Sequence, residues 1–381
     1  MQMPELIFTN ARLVLSDTVI DGSVSIEDGL IRRVDDAPSA LPSALDLEGD
    51  YLLPGLVEIH TDNLEKHLQP RPGVMWPSSR AALFGHDAQV AAAGITTVLD
   101  SISMGEYAKN SNRCQMIATA FEAISDPAVR ALTRAEHHLH LRCEITDPAV
   151  VELYEPLAAD PLVALVSLMD HTPGQRQWAD LGRFRTFHRE KKWTDDEFAV
   201  NVANRQAAQA ENAEPNRRRI LEIARANGTV LASHDDTTLG HVDEAVADGI
   251  TISEFPTTLE AAQAARSHGM KTIMGAPNVV RGGSHSGNVS AADLAAHGLL
   301  DGLSSDYVPA SLLEGAFKLH GEGGIALPQA IALVSDHPAA MLGLADRGRI
   351  ATGRRADLVR VRLLGGLPVV IGVWREGRQV N

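Results

Sequence analysis

Hydrophobic and polar positions follow two periods along most of the chain. Apolar runs of strand length recur at residues 55–60, 96–101, 138–145, 162–170, 230–233, 251–255, 272–276 and 302–305. Between them lie stretches, many of them alanine-rich, in which apolar residues return every three or four positions, at 78–93, 113–125, 197–227, 239–248, 259–268, 291–297 and 328–334. Eight strands alternating with helices predict an α/β fold, a (β/α)8 TIM-like barrel. Pro215 predicts a break in the long helix over 197–227.

The two ends of the chain read differently. Residues 6–8, 11–15, 22–26 and 30–34 are short strand segments, punctuated by Asp21-Gly22 and Asp28-Gly29 turns. Strand-like segments return at 356–361 and 369–373, before a Glu376-Gly377 turn. The pattern predicts one small β-sandwich domain built from residues 1–52 and 345–381, flanking a barrel domain over 53–344.

Composition bears on partners more than on fold. Among 381 residues, 49 are acidic and 34 basic, a formal charge of −15, which disfavours a protein that binds nucleic acid through its phosphate backbone. Aromatic residues make up only 4%, too few for a platform on which bases stack. Cys114 and Cys143 cannot form a disulfide framework or a thiolate cluster, which suits a reducing cytoplasm. The opening MQMPELIF is not built like a signal peptide, and the longest apolar run, 363–374, is about half a membrane span, so no membrane association is expected.

In a barrel of this kind, the residues at the C-terminal ends of the strands form the site. Here those positions hold metal-ligand types. Strand one ends in His60-Thr61-Asp62, whose first and third side chains share a face; strand three carries His138, His140, Arg142 and Glu144 at every second residue. Strand four closes on Asp170-His171, strand five on His234-Asp235-Asp236, strand six on Glu254 and strand eight on Ser305-Asp306. Converging imidazoles and carboxylates suit zinc, manganese or iron. A second set is basic or amide-rich: Lys66 after strand one, Arg176 after strand four, and the glycine-rich run from Asn278 through Arg281 and His285 to Asn288 after strand seven. Glycines let backbone N–H groups approach an anion, and Arg281 offers a planar fork for phosphate oxygens. Cys143 faces away from His140 and Glu144 and reads as a core thiol, and the Arg217–Arg219 triplet as a solvated helix face.

These residues resemble the amidohydrolase superfamily. The entry Leu53-Pro54-Gly55-Leu56-Val57 before His60 is similar to that family's, as is the return run from Gly348 through Ile350 and Gly353 to Ala356-Asp357-Leu358-Val359. More narrowly, four runs are similar to the PhnM family of phosphonate-metabolism diphosphatases: His60 to His67 with Pro70-Arg71-Pro72, Gly94 to Asp100, Met169 to Gln177, and Ala276 to Asn288. The resemblance implies one or two divalent ions, zinc foremost, with His60 and Asp62 as the strand-one pair. It makes Glu144 the carboxylate standing in for a carbamylated lysine, His171 and His234 the further imidazoles, and Asp306 both a ligand and the acceptor of the attacking water's proton. Glu254 occupies a position often held by histidine in related deacetylases.

The implied reaction hydrolyses α-D-ribose 1-methylphosphonate 5-triphosphate to the 5-phosphate and pyrophosphate, in the carbon–phosphorus lyase pathway. Lys66, Arg176, Asn278, Arg281 and His285 would then hold phosphates. Two other readings stand beside it: hydrolysis of an amide or cyclic imide with the same ligands, and a non-catalytic pathway subunit. A homo-oligomer or a complex with other pathway proteins fits either the first or the last.

Overall fold

A computed structural model describes residues 5–105, 113–284 and 287–381, and its strands fall into two sheets. One is parallel, with eight strands paired in chain order: Leu56–Thr61, Ile95–Met104, Glu136–Glu144, Val163–Met169, Val230–His234, Ile252–Glu254, Lys271–Gly275 and Gly302–Ser304. These are the eight strands expected from the sequence. A parallel bridge between Thr61 and Asp306 draws the last strand to the first, curling the sheet into a barrel. Its seam is made by candidate site residues. Asp306 N–H donates to the His60 carbonyl at 3.0 Å, and Asp62 N–H donates to the Asp306 carbonyl at 2.7 Å.

The barrel interior is filled rather than open. Ile59, Leu99, Leu165, Ala232, Ile252 and Ile273 pack into one layer, and burial of each branched side chain contributes about 1.5–3 kcal/mol. That layer is the floor beneath the strand ends. Among the described residues no helix is long and apolar enough to cross a membrane.

The ends of the chain build the second, largely antiparallel sheet, in which the hairpin Leu358–Leu364 and Leu367–Arg375 pairs through Tyr51–Pro54 with Leu6–Val14. The two strands expected at 6–8 and 11–15 are one strand. A register shift between Phe8 and Ala11, with Asn10 at φ 53°, is a bulge that interrupts the sequence pattern but not the pairing. Gly55 carries the chain from this sheet into the barrel, and a Cβ there would lie 2.3 Å from Thr96 Oγ1 and 2.9 Å from Asp357 Cβ.

The expected break at Pro215 does not occur. Asp195–Asn227 is one helix of 33 residues, opened by a Thr194–Glu197 capping box. Pro215 and Glu211 are both exposed, so the carbonyl that loses its intrahelical donor faces water.

A buried polar chain anchors the segment that follows Asp62. Asn63 Nδ2–H donates to His86 Nδ1 at 2.9 Å, His86 Nε2–H donates to Asp100 at 2.6 Å, and His137 donates to Asp100 at 2.7 Å and to Asp87 at 3.3 Å. His86, Asp100 and His137 have the composition of a metal cluster, yet every imidazole nitrogen already has a partner. Burial alone would lower the pKa of His137, but its two carboxylates outweigh that and raise it to about 9. The stabilisation is therefore complete below the unfolded value near 6.5 and is lost as pH rises through 9. Urea unfolding at pH 6.5 and 9.5 is expected to differ by about 3 kcal/mol on this account. His137→Gln should flatten that difference.

Candidate active site

Three imidazoles at strand ends share one construction. His60 Nδ1–H donates to Glu254 Oε1 at 3.0 Å, His234 Nδ1–H donates to Glu254 Oε2 at 3.3 Å, and His171 Nδ1–H donates to Glu144 Oε2 at 2.7 Å. Each ring is thus fixed by a carboxylate at its Nδ1, and all three residues line a common cavity. Burial holds His60 and His234 down to about 3, so both are neutral, the form that donates an electron pair to a cation. Burial also opposes a charge on His171, but Glu144 outweighs it and its pKa is raised.

The cavity's carboxylates lie just past the strand ends. Asp235 and Asp306 adopt left-handed backbone conformations, φ 56° and 54°, as does Phe255 at 55°. All three make the same contact: their N–H groups donate to carbonyls on the neighbouring strand, at Glu254, His60 and Ile273 respectively. The turn swings the side chain of Asp235 inward beside that of His234, where alternation along a strand would oppose them. Such backbone conformations cost about 1–3 kcal/mol each and concentrate at functional sites. Asp235 Oδ2 is buried without a hydrogen-bond partner and lies 3.7 Å from Nε2 of both His171 and His234. Burial raises Asp235 to about 6, and burial with the charge of Asp62 raises Asp306 to about 7.

The cavity measures about 560 Å³ and is lined by His60, Asp62, His171, His234, Asp235 and Asp306 below, and by Phe187, Asn278, Arg281, Ser284 and Asn288 towards its mouth. Of the residues expected to hold phosphates, Asn278 and Arg281 line it. They stand on a short helix, Ala276–Arg281, rather than on a loop; Pro277 sits in its first turn and Gly282, at φ 78°, ends it. The Asn278 side chain is engaged locally, accepting from Ala291 N–H at 3.0 Å. Arg176 is not at the cavity: its guanidinium folds back onto the His234 carbonyl and Asp236, each at 3.0 Å, which neutralises a buried carboxylate. Lys66 also stays off the lining, donating to the Tyr307 carbonyl beside Asp306. Glu144 and Glu254 stand behind the imidazoles rather than on the lining. His285 lies outside the described residues.

Residues 51–380 match the amidohydrolase family. The chain belongs to that family. Relatives place it further. This amidohydrolase is 47% identical over 378 residues to the alpha-D-ribose 1-methylphosphonate 5-triphosphate diphosphatase of Escherichia coli (strain K12), covering 98% of this chain and 100% of that protein. Among solved structures it resembles 5-methylcytosine deaminase from Klebsiella pneumoniae, with TM-score 0.66, 15% identity and coverage of 99% and 97%. It also resembles N-acetylglucosamine-6-phosphate deacetylase from Pasteurella multocida, with TM-score 0.60, 14% identity and 99% of each chain covered. At such identities the structural likeness concerns the fold.

Within this amidohydrolase two sets of donors on the cavity could hold a divalent ion, His171, His234 and Asp235 in one and His60, Asp62 and Asp306 in the other; in a further group, His60, His140 and Glu254, the Glu254 oxygens and both His140 nitrogens already have hydrogen-bond partners. The first fits an ion well, because it gathers two carboxylate-backed imidazoles around an oxygen that has no other partner. In the second, Asp62 Oδ1 already accepts from Arg142 Nη1 at 2.6 Å. The sequence reading assigned roles to His60, Asp62, His171, His234 and Asp306, whereas it placed Asp235 and Arg142 among the strand-end residues without a role.

Proposed function

We propose that this amidohydrolase hydrolyses α-D-ribose 1-methylphosphonate 5-triphosphate, giving the 5-phosphate and pyrophosphate in phosphonate catabolism. The full-length 47% identity to a diphosphatase of that substrate carries the reading. A cavity that sets carboxylates and imidazoles below and Arg281 above supports it.

His171, His234 and Asp235 would hold one divalent ion, with His60, Asp62 and Asp306 as the second set; zinc suits these nitrogen and oxygen donors, as do manganese and iron. Such an ion supplies Lewis acidity to water and to a phosphoryl oxygen. Glu254 and Glu144 orient the imidazoles. Asp306 takes the proton of the attacking water on its carboxylate. The water oxygen bonds to phosphorus as the P–O bond to pyrophosphate breaks, and pyrophosphate leaves with the electron pair. Arg281 meets the outer phosphates, where a planar fork can grip two oxygens.

Phosphorus NMR of the metal-loaded protein with this triphosphate is expected to show equimolar pyrophosphate and 5-phosphate. Orthophosphate as the sole inorganic product would overturn the reading. Arg281→Ala should raise KM by about tenfold with little change in kcat, since a contact held equally in the ground and transition states affects binding alone.

A further inference from the structure

Arg142 enters the cavity from the third barrel strand, Glu136–Glu144, between His140 and Glu144 on the same face. A guanidinium carries five N–H donors in a rigid fork. Here Nη1 donates to Asp62 Oδ1 at 2.6 Å, while Nε–H is buried with no acceptor among the described residues. Nε–H is closed off from the cavity, but Nη2 forms no hydrogen bond among the described residues and is not one of the buried atoms, so on this lining residue it is the donor left for an acceptor that the protein itself does not supply.

The charges around Arg142 come from several elements. Asp62 and Glu65 follow the first strand, Glu254 ends the sixth, and Asp306 follows the eighth; together they outweigh the effect of burial and keep the guanidinium charged. Along the lining, Arg142 and Arg281 are the arginines. Arg281 is exposed at the mouth, whereas Arg142 stands among the imidazoles and carboxylates, its side chain 14% exposed. A residue whose whole purpose was to hold Asp62 would need one hydrogen bond. It would not need to line the cavity, nor to keep a second donor unspent.

We infer that Arg142 binds the phosphoryl group under attack, offering Nη2 to a phosphoryl oxygen while Nη1 stays on Asp62. The inference rests on the hydrolytic reading above. It divides the two arginines, with Arg142 at the reacting phosphorus and Arg281 on the outer phosphates. Preorganised cations act most where negative charge develops, so the loss of Arg142 should fall on kcat and the loss of Arg281 on KM.

The test compares metal-loaded wild-type protein with Arg142→Met, Arg142→Lys and Arg281→Ala. Three quantities are measured: metal content by mass spectrometry, the Kd of inorganic phosphate by calorimetry, and pyrophosphate release by phosphorus NMR. In Arg142→Met, metal content is expected to stay at the wild-type level, phosphate to bind at least about tenfold more weakly, and kcat to fall about 10²- to 10³-fold. Arg142→Lys, which keeps the charge without the fork, should recover about tenfold of that loss and covers the case in which the methionine variant does not fold. Unchanged phosphate binding in both Arg142 variants would overturn the inference. Loss of metal in parallel with activity would also overturn it, since that is the signature of a clamp on Asp62. If wild-type protein binds phosphate through Arg142 yet releases no pyrophosphate, the hydrolytic reading fails and the arginine contact stands.

Discussion

Asp306→Asn is expected to keep the fold and the metal at His171, His234 and Asp235 while lowering kcat about 10²- to 10⁴-fold, the range that a positioned proton acceptor supplies. The substitution preserves shape and removes basicity. The left-handed backbone at Asp306, φ 54°, is tolerated by asparagine, and the seam bonds to His60 and Asp62 are made by main-chain atoms that the change leaves alone. Burial and the neighbouring Asp62 raise the Asp306 carboxyl to about 7, which brings its basicity close to working pH. A raised carboxyl is charged only above that value, so kcat/KM of the wild type should fall as pH drops through its titration. A divalent ion beside it moves that limb downward, placing it at or below 7. In Asp306→Asn the residual activity should lose the limb. Near-normal turnover, or an unchanged acid limb, would remove Asp306 as the proton acceptor.

The barrel was legible because apolar runs of strand length alternate with helical stretches, and parallel pairing in chain order follows from that alternation. Residues that act straight off a strand were legible for the same reason. His60 shares a face with Asp62, and His234 and Asp306 lie at strand ends. Asp235 was not, because it follows His234 directly and an extended backbone would turn it away; only its left-handed conformation brings it in. Arg176 misled in the opposite sense. It follows the fourth strand closely in sequence, yet the buried carboxylate of Asp236 draws its guanidinium from the cavity. Glu144 and Glu254 read as ligands by type and position, whereas their hydrogen bonds to His171, His60 and His234 exist only once the barrel brings together the ends of five strands, the first and third to sixth. Pro215 shows how a local rule depends on surroundings: a missing donor breaks a helix where its carbonyl partner is buried, and here that partner meets water.

Asp235→Asn is expected to weaken metal binding by more than about 100-fold, beyond the 10- to 100-fold that removal of a residue behind a ligand typically costs. Its Oδ2 is the atom that neither imidazole nor any other described group satisfies. An amide keeps the volume but loses the charge that offsets a cation. The metal-free protein should respond in the opposite direction. Burial raises Asp235 to about 6, so ionising it in the fold lowers stability progressively as pH rises from about 4 through 6. Removing the ionisable group recovers about 2–3 kcal/mol at neutral pH. Metal-free Asp235→Asn should therefore melt above metal-free wild type, while added metal raises the melting temperature of wild type by more than that of the variant. The same titration means that metal must displace a proton from Asp235 at low pH, so wild-type affinity falls as pH drops below 6. A variant that retains full metal content, or a metal-free variant that melts below wild type, would show that Asp235 serves the fold and not the ion.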